Sequence, residues 1–157
     1  MAHIHELIDF TVAPIVVHPD QDQVLIVFHP KYGKWLSIGG HVELDENPDQ
    51  ALLKEIDEES GLEVEVLCDR PNIKEEGFEP LWRPSNIDIH DANLPHRHVG
   101  FVYYCLAKTA DYRISDEHTE MRWFTIEELK DPKYSVGQHL IYYAEEAMAL
   151  AKEHRNK

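Results

Sequence analysis

Short runs of apolar and β-branched residues, separated by turn-forming residues, occupy much of the chain. Two such runs lie at residues 10–17 and 23–28, and the HPDQD segment between them predicts a β-hairpin. Comparable runs predict further strands at 34–38, 62–68, 87–90, 100–108 and 121–124. Residues 69–83 are polar and interrupted by proline, which indicates a loop.

Other segments have the three- and four-residue spacing of amphipathic helices. Asn47 can cap a helix, Pro48 suits its first turn, and Gly61 suits a left-handed residue at its end. The apolar side of this first helix is predicted from Leu52, Leu53 and Ile56. A closing helix is predicted from apolar positions that recur at helical steps, namely Val136, Leu140, Tyr143, Ala144, Ala147 and Ala151.

Between the last strand and the closing helix, Thr125 and Glu128 have the spacing of a capping box, which predicts a short helix that stops near Pro132. The order of the elements is strands, a helix, more strands and then helices. This order predicts an α/β fold in which a mixed sheet carries helices on its faces.

The first helix carries an acidic cluster, Glu55, Glu58 and Glu59, whose members share an arc of about 100°. Such a cluster alone is typical of a solvated acidic surface. Each like-charged pair costs roughly 0.2–0.5 kcal/mol on an isolated helix, and a bound Mg²⁺ would remove this cost. The preceding Gly39 and Gly40 let the backbone approach a ligand and offer a carbonyl to a metal. Together these features favour a metal and diphosphate site.

Composition limits the classes of partner. The 157 residues fit a single domain spanning 1–157, and the net charge of −15 argues against a nucleic-acid polymer as ligand. Cys68 and Cys105 lie in apolar stretches and are expected to be buried, reduced thiols. The first residues lack the pattern of a secretion signal, and no apolar run is long enough to cross a membrane. We therefore expect a soluble cytoplasmic protein without membrane contacts, either a monomer or a homodimer.

Residues 40–62, GHVELDENPDQALLKEIDEESGL, resemble the box of the Nudix hydrolases, G-x5-E-x7-R-E-U-x-E-E-x-G-U, where U is a bulky aliphatic residue. The one departure is Lys54, which stands where the box has arginine. The resemblance implies an α/β/α sandwich and a MutT-like pyrophosphatase that uses Mg²⁺ or Mn²⁺. The implied substrate is a small nucleotide or another diphosphate.

The resemblance also implies roles for single residues. Glu58 and Glu59 match the family's metal ligands, and the Gly39 carbonyl is a further ligand. Glu55 matches the remaining box glutamate, which is a ligand or the general base in different members. Glu46 matches the glutamate of the box loop, with a less certain role. Many members recruit one more acid beyond the box, for which Glu117 and Glu120 are the candidates and Glu120 is preferred for its place beside a strand.

The candidates for substrate binding are Gly40, Arg97, His98 and Trp82. Arg97 is one of few cations in its region, and the Trp82 indole could stack on a base. His90, His96 and His98 lie close together among eleven histidines. They are either incidental surface imidazoles or ligands of a transition metal or a phosphate, and the sequence favours the former because a third ligand at fixed spacing is missing.

The substrate is not fixed by the sequence. The proline that marks ADP-ribose hydrolases would fall near Gly77, and it is absent there. This absence favours a nucleoside triphosphate or an uncommon diphosphate. Two other functions stay open: a non-catalytic nucleotide sensor, which the retained box acids disfavour, and an isoprenoid diphosphate isomerase, which would need an accessible cysteine.

Overall fold

One mixed β-sheet organises residues 7–157, the part of the chain that the computed structural model describes. Its strands are β1 (Ile8–Val17), β2 (Val24–His29), β3 (Lys34–Leu36), β4 (Gly40–His41), β5 (Val64–Val66), β6 (Asn86–Asn93), β7 (His96–Ala107) and β8 (Glu120–Phe124). The helices are α1 (Pro48–Ser60), α2 (Ile126–Lys130) and α3 (Gln138–Arg155). Residues 1–6, part of the predicted single domain, lie outside the described range.

Strand β1 is the centre of the sheet. It runs parallel to β7 over its whole length, from Ile8 opposite Arg97 to Val17 opposite Leu106. On its other side it is antiparallel to β2 and to the two-residue strand β4. Strands β5 and β6 add to β7, while β3 and β8 add to β2, all antiparallel.

The alternation of side chains along the strands divides the core into two layers. One layer lies between the sheet and α1 and contains Val12, Val16, Leu25, Val27, Tyr103 and Cys105 together with Leu52 and Ile56 of the helix. The other lies between the sheet and α3 and contains Ile15, Val17, Val24, Ile26, Val102 and Tyr104 together with Leu140 and Ala144. The predicted α/β/α sandwich with a mixed sheet is therefore confirmed.

The ends of α1 lie where the sequence predicts them. Asn47 accepts from the backbone N–H of Gln50 and forms a full capping box with it, and Pro48 begins the helix. Gly61 ends it with a φ of 64°, and its N–H donates to Asp57. Leu53, in contrast, is 45% exposed, so its predicted place in the core is wrong. One residue beyond the buried Leu52 is a turn of about 100°, which carries Leu53 off the buried arc.

Most other elements also lie where they were predicted. The hairpin closes with His18 donating its N–H to Gln23, and Thr125 caps α2 with Glu128 in a capping box. The predicted loop at 69–83 contains only an isolated bridge. Cys105 is fully buried, but Cys68 is only half-buried, which corrects its expected burial. None of the helices in residues 7–157 has the length and apolar character that crossing a membrane requires.

Candidate active site

Helix α1 lies against β4, so the acidic face of the helix meets the glycine pair. A Cβ placed on Gly40 would lie 2.5 Å from Cδ of Glu55 and 2.6 Å from its two oxygens. The Glu55 carboxylate thus rests directly on the glycine backbone, where a side chain would displace it. Gly39 has a φ of 141°, and a side chain there would overlap the carbonyl of Val12. Both glycines are required by the local geometry.

Glu59 is the most deeply placed carboxylate of the cluster, with 6% of the residue exposed. Burial, followed by the charge of Glu55, raises the pKa of Glu59 to about 8, and a backbone hydrogen bond from Gly39 opposes part of this rise. Burial is also the main cause that raises the pKa of Glu55. The two carboxylates and the Gly39–Gly40 backbone therefore form one desolvated acidic site.

A buried histidine supports Glu59. Nε2 of His118 lies 2.9 Å from Oε2 of Glu59, and 3% of the His118 side chain is exposed. Burial and the neighbouring His29 lower the pKa of His118, which favours the neutral imidazole. The other ring nitrogen, Nδ1, is buried without a hydrogen-bond partner among the described residues.

Lys54, the residue that departs from the box pattern, joins the loop glutamate to the helix. Its Nζ lies 2.7 Å from Oε1 of Glu46 and 3.7 Å from Oε1 of Glu55. The same Glu46 oxygen accepts from the backbone N–H of Glu43. Lys54 therefore links the loop glutamate Glu46 to Glu55. Glu58 is exposed, and its charge contributes to the raised pKa of both Glu55 and Glu59.

Of the two candidate acids beyond the box, Glu117 has the stronger link to the site. Its charge is among the causes that raise the pKa of Glu55 and of Glu59. Glu120 begins β8 with an exposed side chain, opposite Phe28 in the register with β2. Glu117 and Glu120 both stay candidates for the additional acid.

The candidates for substrate binding lie apart from one another. Arg97 and His98 are consecutive in β7, so their side chains point to opposite faces of the sheet. Arg97 is paired with Ile8, on the face that α1 covers, whereas His98 contacts His41 on the other face. They cannot line one pocket together.

Trp82 is held at the beginning of α1. Its backbone N–H donates to the buried carboxylate of Asp49, at 3.1 Å from Oδ2, and the same carboxylate pairs with Arg70. The Arg70 guanidinium lies 4.2 Å from the centre of the Trp82 ring and covers one of its faces. Asp49 and Glu59 are ten residues apart, or about 15 Å along the helix axis. In this position Trp82 fixes the 69–83 loop to the helix.

The donors of the acidic site suit a divalent cation. Glu55, Glu58 and Glu59 offer carboxylate oxygens, and Gly39 offers a backbone carbonyl, which are the ligands that Mg²⁺ and Mn²⁺ prefer. Burial is the largest cause of the raised pKa of Glu55 and of Glu59, and Lys54 opposes this rise at Glu55. The residues present therefore fit a hard cation.

Residues 10–144 match the NUDIX domain family. The chain belongs to the Nudix hydrolase family. Members of this family use divalent metals, in agreement with the oxygen donors of the site. The match extends the likeness from the 23 residues of the box to most of the chain.

Individual relatives of the chain support its place in the family. A MutT-like protein of Streptomyces ambofaciens is 27% identical over 121 residues, which cover 77% of this chain and 66% of the relative. An NAD-capped RNA hydrolase of Vibrio vulnificus is 31% identical over 117 residues, which cover 73% of this chain and 38% of the relative. The chain thus spans about two thirds or less of these relatives.

A solved structure of a Nudix-family hydrolase from Clostridium perfringens superimposes with a TM-score of 0.76 at 29% identity. The likeness covers 90% of this Nudix chain and 97% of the other. The likeness therefore extends over most of both chains.

One residue that contacts the acidic site, His118, was not identified from the sequence. His118 lies in the acidic stretch SDEHTE, which has no periodic or motif signal. Its contact with Glu59 depends on how the segment before β8 folds back onto α1.

Proposed function

We propose that this Nudix chain hydrolyses a phosphoanhydride bond in a small nucleotide or related diphosphate, with Mg²⁺ or Mn²⁺ as its cofactor. The observation that carries the proposal is the convergence of Glu55 and Glu59 on the Gly39–Gly40 backbone. Helix periodicity alone places these glutamates on one face, and their contact with the glycine pair joins that face to the backbone before the helix.

In this proposal the cation is held by Glu58, Glu59 and the Gly39 carbonyl, with Glu55 as a further ligand or as the general base. When bound, the cation would neutralise the diphosphate and lower the pKa of the attacking water. The residues of the chain position the phosphates and the glutamates. Gly40 lets the backbone approach the phosphates, and Lys54 and His118 orient Glu55 and Glu59.

The substrate is proposed to be small. A net charge of −15 repels a polyanion, and phosphate contacts by lysine and arginine supply most of the affinity for nucleic acid. We favour a nucleoside triphosphate or an uncommon diphosphate over NAD-capped RNA, the substrate in the name of the Vibrio relative. The two cysteines are unpaired, which supports a reducing compartment such as the cytoplasm.

The other two functions receive less support. An isomerase would need a reactive thiol at the site, but Cys105 is fully buried and burial raises the pKa of its thiol. The Cys68 thiol is half-buried and its pKa is also raised by burial. A sensor without catalysis would not need three box glutamates together with the residues that orient them.

A substrate panel tests the proposal. The purified chain is incubated with Mg²⁺ or Mn²⁺, and in parallel with EDTA, against canonical and oxidised nucleoside triphosphates, ADP-ribose, NADH, NAD-capped RNA, diadenosine polyphosphates and coenzyme A. Released phosphate or nucleoside monophosphate that depends on metal supports the hydrolase. An isoprenoid diphosphate is incubated in the same way, and a product of unchanged mass from it indicates the isomerase. Binding without turnover across the panel indicates the sensor.

A further inference from the structure

A second group of metal-binding side chains lies on the opposite face of the sheet from α1. It consists of Asp9 in β1, His41 in β4, and His96 and His98 in β7. These residues are far apart in the sequence, and the pairing of β1 with β4 and β7 brings them together. We call them the histidine cluster.

The donor atoms of the histidine cluster are close enough to share one ion. Nε2 of His41 lies 3.2 Å from Nε2 of His98 and 3.6 Å from Oδ2 of Asp9. Nε2 of His96 lies 3.1 Å from the same Asp9 oxygen, and one donor atom from each residue lies within 4.8 Å of all the others. Ligands around a tetrahedral Zn²⁺ at 2.0–2.1 Å are separated by about 3.4 Å. The distances from His96 to Asp9, from His41 to His98 and from His41 to Asp9 are already close to this value.

The chemistry of the donors selects the ion. Three imidazole nitrogens and one carboxylate suit Zn²⁺ and neighbouring transition ions, whereas Mg²⁺ prefers a shell of oxygens. A phosphate is a poorer occupant, because the Asp9 carboxylate lies within 3.6 Å of two of the imidazoles and would repel an anion. The sequence near His96 and His98 contains no third ligand at a fixed spacing. Asp9 of β1 and His41 of β4 provide the further ligands in the folded chain.

We propose that Asp9, His41, His96 and His98 form a second cation site, selective for Zn²⁺ or a similar transition ion. The site joins three strands, and it holds His41, the neighbour of Gly40 in the acidic site. His90 stands beside it, with its ring 5.4 Å from that of His98 and its Nδ1 bonded to Asp88 at 2.8 Å. Asp88 in turn accepts from Tyr143 of α3, so His90 is held next to the ligands rather than among them.

Cobalt binding to the full chain tests this site. The protein is stripped with EDTA and titrated with Co²⁺ in excess Mg²⁺, which saturates the carboxylates of α1 but not the imidazoles. We expect one Co²⁺ per chain with visible absorption, displaced by Zn²⁺. His41→Ala and His98→Ala should each weaken Co²⁺ binding at least about tenfold, since each removes a direct ligand.

The matched control is His139→Ala, which removes an exposed histidine outside the cluster and should bind Co²⁺ like the wild type. Zn²⁺ should raise the melting temperature of the wild type and of His139→Ala, but not that of His98→Ala. Asp9→Asn changes a half-exposed side chain without changing its shape, so it provides a test if an alanine variant fails to fold.

Equal Co²⁺ affinity in the wild type, His41→Ala and His98→Ala would overturn the proposal, as would no Co²⁺ binding in excess Mg²⁺. The measured Co²⁺ affinity does not depend on whether the chain is an active hydrolase. Glu59→Gln leaves the histidine cluster intact and should bind Co²⁺ like the wild type.

Discussion

Gly40 and His41 are neighbours in β4, yet Gly40 belongs to the acidic site and His41 to the histidine cluster. Gly40 faces α1 and supports the Glu55 carboxylate, while His41 faces the opposite side of the sheet and contacts His98. The α1 side is rich in oxygen donors, and Glu59, its deepest carboxylate, is buried. The histidine cluster is rich in nitrogen, and its Asp9 and His41 side chains are about half exposed.

In the two proposed sites, one short strand would serve two kinds of ion. Because successive side chains of a strand alternate between faces, a one-residue step changes both the donors and the solvent exposure. Donor type then selects the ion: carboxylates favour Mg²⁺ and Mn²⁺, and imidazoles favour Zn²⁺. Changes on one face should therefore leave the chemistry of the other largely intact.

The largest effect on activity is expected from Glu59→Gln. Loss of one metal ligand removes several kcal/mol of charge stabilisation, so turnover should fall by at least about a hundredfold. The melting temperature in the absence of metal should hold or rise, because burial already raises the pKa of Glu59 to about 8 and an uncharged amide avoids that desolvation cost. Steady-state kinetics and thermal unfolding measure the two effects.

Glu63→Gln is the matched control for Glu59→Gln. Glu63 lies three residues beyond α1, and its side chain is 81% exposed and paired with Lys108 at the surface. Its turnover should equal that of the wild type. Near-wild-type turnover in Glu59→Gln would contradict the assignment of the acidic site.

Gly40→Ala tests the contact between the two halves of the acidic site. A methyl group on Gly40 would lie 2.6 Å from the Glu55 oxygens, so Glu55 must move away from the backbone. A displacement of about 1 Å at a reacting group can cost up to a hundredfold, and we expect turnover to fall by roughly thirtyfold. Metal titration of activity would show whether affinity for the cation falls as well.

Gly33→Ala is the control for this loss. Gly33 has a φ of 61°, so alanine strains its backbone, but no atom lies within 4 Å of the added methyl group. It should lower the melting temperature without lowering turnover. Unchanged turnover in Gly40→Ala would mean that Glu55 does not act from its position on the glycine.

His118 tests whether Glu59 needs a partner to hold its orientation. His118→Leu removes the hydrogen bond to a buried carboxylate, which costs about 1–3 kcal/mol, and turnover should fall by roughly tenfold. His118→Gln keeps a side-chain donor and should recover part of the loss. Wild-type turnover in both variants would show that His118 is not needed to orient Glu59. Kinetics at several Mg²⁺ concentrations distinguish these outcomes.

A region of this chain can be predicted from the sequence when the residues that determine its structure are close together in the sequence. Helix α1 was predicted with both its ends, because Asn47, Pro48 and Gly61 act on neighbouring backbone groups. The acidic face of α1 was predicted for the same reason, since residues three and four apart on a helix share a side. Strand positions followed from alternation, with errors of a few residues at their ends.

Contacts between distant segments were not predictable in this way. His118 reaches Glu59 across 59 positions, and Asp9 meets His96 through the parallel pairing of β1 and β7. The periodicity of a single sequence does not indicate which strands pair with one another. The sequence therefore favoured incidental imidazoles at His96 and His98, whereas the sheet supplies them with two further donors.

The smallest effect is expected at Lys54, where the chain departs from the family pattern. Lys54 already bridges Glu46 and Glu55 with a single ammonium group, and the hydrogen bond to Glu46 raises its pKa. Arginine offers a planar fork that can meet both carboxylates, so Lys54→Arg should hold turnover or raise it by no more than about threefold. Lys54→Met keeps the length of the side chain but removes the bridge, and it should lower turnover. Steady-state kinetics of the two variants, measured in parallel, check this prediction. A large loss of turnover in Lys54→Arg would contradict it and would show that the acidic site requires a lysine at this position.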